Sequence, residues 1–522
     1  MPRKLTKTNR QIDPATLDQK YLWHPFTQMR DWLKEPPIVI CSGKGAELTD
    51  QHGKTYLDAN ASIWTNLHGH NHPVINRAIE HQLKKISHSS ALGYANEPAS
   101  FLAKELIEQT RLTKKRNKGL STETVSAQKK RQPKLAKVFF SDDGSTAMEA
   151  ALKLHHQHTR RTRPKITPRY LSLENSYHGD TVGAMSLSHS PLFHEPFGKI
   201  RFAVDRVMAP YCYRCPYNQA SPCRQDARKS RKCQWECIGL VKKKLEKASQ
   251  QNKPYTAFVI EPLIQGAAGI VPHPPGYLAR LEQIIRQHGL QLIADEVMTG
   301  FGRTGSLIAC HQEGVQPDFL ALAKGLTGGY LPMAATLTTQ SVFDSFLGPY
   351  ESFKSFFHGH SFTGNQLGSA AALANLKILS SNRSIQHRET LNHWFTKELE
   401  RLWKIPHVGD IRQVGLIAGI ELTADWQSRR AIPIAQQAGI RVCKAMAKRG
   451  VLTRPVGNVI VILLIYTMSK KQVSTIINCL AASIDETFSI PEPKTASRRS
   501  KRSNRIVHFR TKTGRSKQVP SD

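Results

Sequence analysis

From Lys137 onward the chain alternates short, continuously apolar runs with longer stretches of helical pattern. Lys137-Val-Phe-Phe-Ser141 precedes a helical stretch; Arg169-Tyr-Leu-Ser-Leu173, Phe258-Val-Ile-Glu-Pro262, a helix through Ile284 and Leu290-Gln-Leu-Ile-Ala-Asp-Glu-Val297 follow. Strands apolar at every position, and not at every second one, are buried on both faces, which calls for helices on both sides of a mostly parallel sheet. The expected fold class is therefore α/β. In open sheets of this kind ligands collect at the carboxyl ends of the strands. Three candidate groups fall there: Asp295 after Leu-Ile-Ala, Lys324 after Phe-Leu-Ala-Leu-Ala, and Gly144-Ser145 after Val-Phe-Phe-Ser-Asp-Asp.

The remaining pattern divides the chain. Residues 1–20 read as a mobile leader, and 21–90 as the N-terminal segment of a small domain, with strand-like runs Pro37 to Cys41 and Thr55 to Asp58 around a turn at Gly53. Residues 91–377 form the large domain, with helical signals over Glu97 to Gln109 and Thr146 to His158, the latter preceded by Gly144-Ser145 at a capping position. Residues 378–490 read as a smaller α+β domain containing the strand run Asn458 to Ile465.

Charge bears on partners. The formal net charge is +34, which would suit a polyanion because cations displace counterions from phosphate polymers. Residues 111–134, however, hold nine Lys/Arg against one acidic residue, and 491–522 hold ten against two. Both segments are polar and lack an apolar period, so they read as a disordered insertion and a disordered tail carrying solvated charge. A non-catalytic, nucleic-acid-associated protein is the rival reading from a different class. No apolar run reaches the ~20 residues of a membrane helix. The N-terminus lacks the apolar core of a secretory signal, and a cytoplasmic location is expected.

Nine cysteines, an odd number without a signal peptide, argue against a complete disulfide framework. Five of them, Cys212, Cys215, Cys223, Cys233 and Cys237, lie in an insertion over 206–249. Their C-x2-C and C-x3-C pairs leave open a four-thiolate zinc site, reduced thiols, or a facultative disulfide. No metal is assigned to the chemistry.

The chemistry rests on spacing and residue type. Lys324, between an apolar strand and the small-residue loop Gly-Leu-Thr-Gly-Gly329, suits an amine that must be desolvated beside a planar cofactor. Alone it could be a surface lysine. Twenty-nine residues earlier, Asp295 ends a buried strand, where a carboxylate can pair with a protonated ring nitrogen or cap the next helix. Gly144 and Ser145 offer backbone amides at a helix N-terminus to a phosphate, and Tyr177 offers a ring face.

The ordered set YHGDT, EPLIQGAAGI, ADEVMTGFGRTG, ALAKGLTGGYLP and FHGHSFTGNQ resembles the class III aminotransferases, fold-type I enzymes dependent on pyridoxal 5'-phosphate, over roughly residues 20 to 480. Within that class, WHPFTQM at Trp23 to Met29, IWTNLHGHNHP at Ile63 to Pro73 and LTRPVGN at Leu452 to Asn458 are similar to the branch that aminates 8-amino-7-oxononanoate in biotin biosynthesis. The resemblance implies that Lys324 carries the cofactor and shuttles the proton, Asp295 binds the pyridine nitrogen, Tyr177 stacks on the ring, and Gly144 and Ser145 bind the phosphate. It also implies that His360 and Ser361 reach the phosphate in a neighbouring subunit, so a homodimer is expected. Arg454 matches an arginine that receives the keto acid carboxylate, where a guanidinium fork suits two oxygens. Arg303 would shape the donor site, and Phe26, Ile63, Trp64, Tyr177 and Gly359 would line the substrates.

The expected donor is S-adenosyl-L-methionine. Phe26, Ile63-Trp64 and HGHSF replace the Tyr, Trp-Trp and HGPTF of many such enzymes and look more like a branch some of whose members take L-lysine. Lysine is therefore the alternative donor, and another class III ω-amine transaminase the alternative enzyme. Asp143 stands where the family often has Ser, and Leu464-Ile465 replace paired prolines.

Overall fold

The computed structural model describes residues 13–112 and 133–489. Most of the basic insertion and the whole basic tail lie outside the described residues. The described end of the expected leader is helical: α1 (Pro14–Tyr21) begins with a proline in its first turn, where the missing N–H costs no helical bond. A small antiparallel sheet follows, formed by β1 (Ile40–Lys44), β2 (Glu47–Asp50) and β3 (Thr55–Asp58). The first expected strand is thus displaced toward Lys44. A parallel fourth strand, Val451–Leu452, pairs with β3, so the two ends of the chain share one sheet.

The large domain is built on a seven-stranded sheet. Its strands are β4 (Leu135–Ser141), β5 (Tyr170–Leu173), β6 (Asp205–Val207), β7 (Ala257–Ile260), β8 (Gln291–Asp295), β9 (Phe319–Leu322) and β10 (Ala334–Thr339), in the spatial order β4-β10-β9-β8-β7-β5-β6. Only β10 runs against the others. Strands β5, β7 and β9 are buried at every residue, as the unbroken apolar runs require. This is the expected α/β architecture. The smaller C-terminal sheet pairs Val408–Val414, Ile417–Asp425 and Val459–Leu463 antiparallel. Leu464, just past that strand, donates its amide to the Leu416 carbonyl at 3.1 Å, a bond that proline could not form.

Helix α2 (Gly144–Thr162) starts two residues before the expected Thr146 and runs four beyond the expected His158, and its cap is Asp143, just ahead of Gly144-Ser145. Asp143 accepts from the Thr146 amide at 2.9 Å while the Thr146 hydroxyl accepts from the Asp143 amide at 3.0 Å, a reciprocal capping box. The carboxylate at 143 thus takes the capping role, which leaves Gly144 and Ser145 as the first two helical residues.

Between β3 and the large domain lies an unusual turn. Ala61, Ser62, Ile63 and Trp64 are all left-handed, with φ of +46°, +46°, +58° and +70°. For residues bearing a Cβ this costs of order 1–2 kcal/mol each, so the surrounding bonds must hold it.

The cysteine insertion packs on the C-terminal domain through arginines. Arg228 donates to the Gln413 carbonyl at 2.7 Å, and Arg214 pairs with Glu421. All nine cysteines are free thiols. Cys212, Cys215, Cys233 and Cys237 line one narrow cavity, whereas Cys223 turns to the Ser230 hydroxyl at 3.4 Å. Among the described residues no group of three or more His, Cys, Asp or Glu is arranged to hold a metal ion. No described helix is long and apolar enough to cross a membrane.

Candidate active site

Carboxyl ends of the central strands meet the left-handed turn around a cavity of about 430 Å³. Trp64, Gly144, Ser145, Tyr177, Asp295 and Lys324 all line it. Groups separated by up to 260 residues in the sequence are therefore brought to one place.

Lys324 lies two residues past the end of β9, after Ala323, and itself has φ +43°. Its Nζ lies 4.9 Å from the centroid of the Trp64 ring. Burial pushes its pKa below the ordinary lysine value; Asp295 and Glu261 oppose that shift, and Arg303 adds to it. A lowered pKa favours the free amine, the form that acts as nucleophile and proton acceptor.

Asp295 ends β8 and is 5% exposed. Its Oδ2 accepts from His178 Nδ1 at 2.8 Å, and its Oδ1 accepts from the Val297 amide at 3.1 Å. His178 is wholly enclosed, and its Nε2 has no protein partner. The imidazole thereby fixes the carboxylate's orientation and leaves it facing the cavity. Tyr177 stacks on His194 at 5.7 Å between centroids, and its hydroxyl donates to Asp180 Oδ2 at 2.7 Å.

Glu261, immediately after β7, has no role assigned from the sequence, although it follows an apolar strand and opens the motif EPLIQGAAGI. It lines the cavity and accepts from the Tyr177 amide at 3.2 Å and the Gly266 amide at 2.8 Å. Burial lifts its pKa to about 7, against the influence of His178. It ties the ring-bearing loop of Tyr177 to the next segment of the cavity wall.

The amides of Gly144 and Ser145 head a 19-residue helix and have no acceptor within it. The helix dipole adds positive potential there, so the site is suited to an anion. Glycine is required for this close approach. A Cβ on Gly144 would meet Val297 Cγ1 at 2.7 Å, and one on Gly179, whose φ is +129°, would meet Ser145 Oγ at 2.3 Å.

The other candidates lie outside the cavity lining. Phe26 is 61% exposed and packs edge-on against Phe193, which in turn packs edge-on against Tyr177. Ile63 is half exposed beside Trp64. His360 pairs with Asp142 at 3.0 Å, the Ser361 carbonyl accepts from His88, and Gly359 and Ser361 are exposed. Arg454 is exposed between two short strands. Arg303 is 1% exposed and committed to backbone: Nη1 donates to the Leu464 carbonyl at 2.7 Å, and Nη2 to the Asn66 and Trp64 carbonyls at 2.8 and 3.4 Å. Its contacts brace the wall of the site, while its place in the GFGRTG motif pointed to a donor ligand.

Comparison with known proteins agrees with this geometry. The family profile described as Aminotransferase class-III matches residues 29–484. An adenosylmethionine-8-amino-7-oxononanoate aminotransferase from Geobacter sulfurreducens is 40% identical over 467 residues, covering 90% of this chain and 96% of the relative. The crystal structure of the adenosylmethionine-8-amino-7-oxononanoate aminotransferase from Methanocaldococcus jannaschii superposes with a TM-score of 0.79 at 36% identity, covering 90% of this chain and 98% of that one. An omega transaminase from Pseudomonas jessenii, solved in complex with PMP, gives a TM-score of 0.80 at 26% identity over 91% and 98% of the two chains. With the sheet, the cavity and a profile match over most of its length in agreement, the chain belongs to the class III aminotransferases.

Proposed function

We propose that the protein transfers an amino group from S-adenosyl-L-methionine to 8-amino-7-oxononanoate, forming 7,8-diaminononanoate for biotin biosynthesis. The observation that carries this reading is the buried Lys324 amine sharing one cavity with Asp295 and the open helix N-terminus at Gly144 and Ser145. Near-full-length relatives at about 40% identity that carry this activity in their names support the substrate pair.

Pyridoxal 5'-phosphate fits the residue set. The Gly144 and Ser145 amides would hold its phosphate, Asp295 its ring nitrogen, Tyr177 its ring face and Lys324 its aldehyde carbon. When bound, it supplies the sink for the electron pair left on the substrate Cα. Lys324, with its lowered pKa, takes the Cα proton and redelivers it in the first half-reaction, and it does the same in reverse for the ketone. His178 keeps Asp295 oriented toward the ring position. Trp64 and Tyr177 form walls that keep water from the reacting carbon. Arg454, with its guanidinium exposed, would receive the carboxylate of the oxononanoate.

A homodimer belongs to this reading. His360 and Ser361 are absent from the lining of their own cavity, and the segment that bears them exposes Tyr350, Phe353, Phe357 and Phe362, apolar side chains suited to a second copy that would receive His360 and Ser361 at its phosphate site. A cytoplasmic location belongs to the same reading.

The test is the absorbance of purified protein incubated with pyridoxal 5'-phosphate, before and after S-adenosylmethionine or L-lysine is added separately. The expected result is loss of the visible band with S-adenosylmethionine, and formation of 7,8-diaminononanoate once 8-amino-7-oxononanoate is supplied. A response to lysine alone reassigns the donor, in keeping with Phe26 and Ile63. A response only to other ω-amines reassigns the substrates, and absence of any band refutes the enzymatic reading.

A further inference from the structure

The left-handed turn at Ala61–Trp64 lies on the wall of the site, and four consecutive non-glycine residues do not hold that backbone unaided. The group that holds it is Asp58, at the end of β3 and 3% exposed. One Asp58 oxygen accepts from the amides of Asn60 at 3.2 Å and Ser62 at 3.1 Å. The other accepts from the Ser62 hydroxyl at 2.8 Å and from His70 Nε2 at 3.1 Å. The turn closes on itself through the Trp64 amide, which donates to the Asn60 carbonyl at 2.9 Å, and through the indole Nε1, which donates to Asn60 Oδ1 at 3.0 Å.

The result is a single orientation of the indole. Trp64 lies against Gly266, where a Cβ would come within 3.0 Å of the ring, and across from the Lys324 amine at 4.9 Å. A right-handed path over the same residues would send the side chain elsewhere, because the Cβ direction follows the hand of the turn. Asp58 itself does not line the cavity.

We propose that Asp58 is a positioning residue that determines substrate binding through Trp64: it clamps the left-handed turn and so presents the indole as a fixed wall for the substrate chain. The proposal rests on the aminotransferase reading for its substrates, but not for its geometry. A wall that meets substrate and transition state alike changes KM more than kcat.

The test compares Asp58→Ala, Asp58→Asn, Trp64→Ala and the double variant Asp58→Ala/Trp64→Ala in the full-length holoenzyme. Asp58→Ala is expected to raise the KM for 8-amino-7-oxononanoate at least tenfold with kcat within threefold. Asp58→Asn, which keeps one acceptor for the two amides, should recover part of the loss. The double variant should be no worse than the worse single one, because both act through one indole. An unchanged KM in Asp58→Ala, or additive losses in the double variant, would overturn the proposal. If Asp58→Ala does not fold, Asp58→Asn is compared with Trp64→Ala in the same way. Acrylamide quenching of Trp64, taken as the difference from Trp64→Phe backgrounds, gives a readout free of substrate: it should rise in the Asp58 variants, and no rise refutes the clamp. Should the wild type turn over neither substrate, the function reading fails while the quenching result still decides the role of Asp58.

Discussion

Replacing Arg303 with methionine separates two roles that its motif cannot distinguish. The guanidinium is enclosed and donates to the Leu464 and Asn66 carbonyls at 2.7 and 2.8 Å, with a weaker contact to the Trp64 carbonyl at 3.4 Å. It joins the segment after the last C-terminal strand to the end of the left-handed turn. Methionine keeps much of the apolar stem but leaves these buried carbonyls unpaired. A hydrogen bond from a charged donor contributes roughly 1.5–3 kcal/mol, so losing two good ones should cost about 3–6 kcal/mol of stability. Lysine, with one ammonium in place of a fork, should lose about half of that. Urea unfolding followed by tryptophan fluorescence reads the effect as a lower midpoint for Arg303→Met and an intermediate one for Arg303→Lys. If Arg303→Met unfolds within about 1 kcal/mol of the wild type while the KM for the amino donor rises tenfold, the bracing role is wrong and the guanidinium is a substrate ligand.

Other outcomes follow from the cavity. Asp295→Asn should keep the fold but lower kcat by roughly 100-fold or more in a transamination assay, since an amide cannot hold a ring proton as a carboxylate does. Glu261 titrates in the opposite sense to a salt-bridged acid: its folded pKa, about 7, lies above its ordinary value of 4.5. The native state therefore holds that proton where the unfolded chain has released it, and stability declines as pH rises between those two values. Glu261→Gln should flatten that part of the stability profile, measured by thermal unfolding of cofactor-free protein from pH 5 to 8; an unchanged slope would show that Glu261 is not its source. Gly179→Ala should lower affinity for pyridoxal phosphate by about tenfold or more, near 1.4 kcal/mol, because its Cβ would press on Ser145 at the helix N-terminus. Spectrophotometric titration measures this, and an unchanged Kd would show that the loop yields.

Reading the sequence reached furthest where one physical constraint acts on contiguous residues. A strand buried on both faces must be apolar throughout, so β5, β7, β8 and β9 were visible as runs, and their carboxyl ends located Asp295 and Lys324. Helix Glu97–Gln109 has the bounds that its helical signals indicate, and the structure puts a proline in its first turn. By residue type Gly144-Ser145 and Asp143 are both acceptable at the N-cap of α2, and only the bonds of Thr146 decide for Asp143.

What sequence alone determined was the fold class, the ordered chemical groups and the family resemblance, since these depend on local periodicity and on residue type. Tertiary structure decided which groups meet. Glu261 became part of the site because the loop bearing Tyr177 folds over it; Arg303 became a brace because three carbonyls converge on it; and Asp58 became a clamp because Ser62, Asn60 and His70 surround it. A side chain's role there is set by partners that proximity supplies, and in the brace of Arg303 these stand 161 and 237 residues away in the chain, a distance no local pattern records.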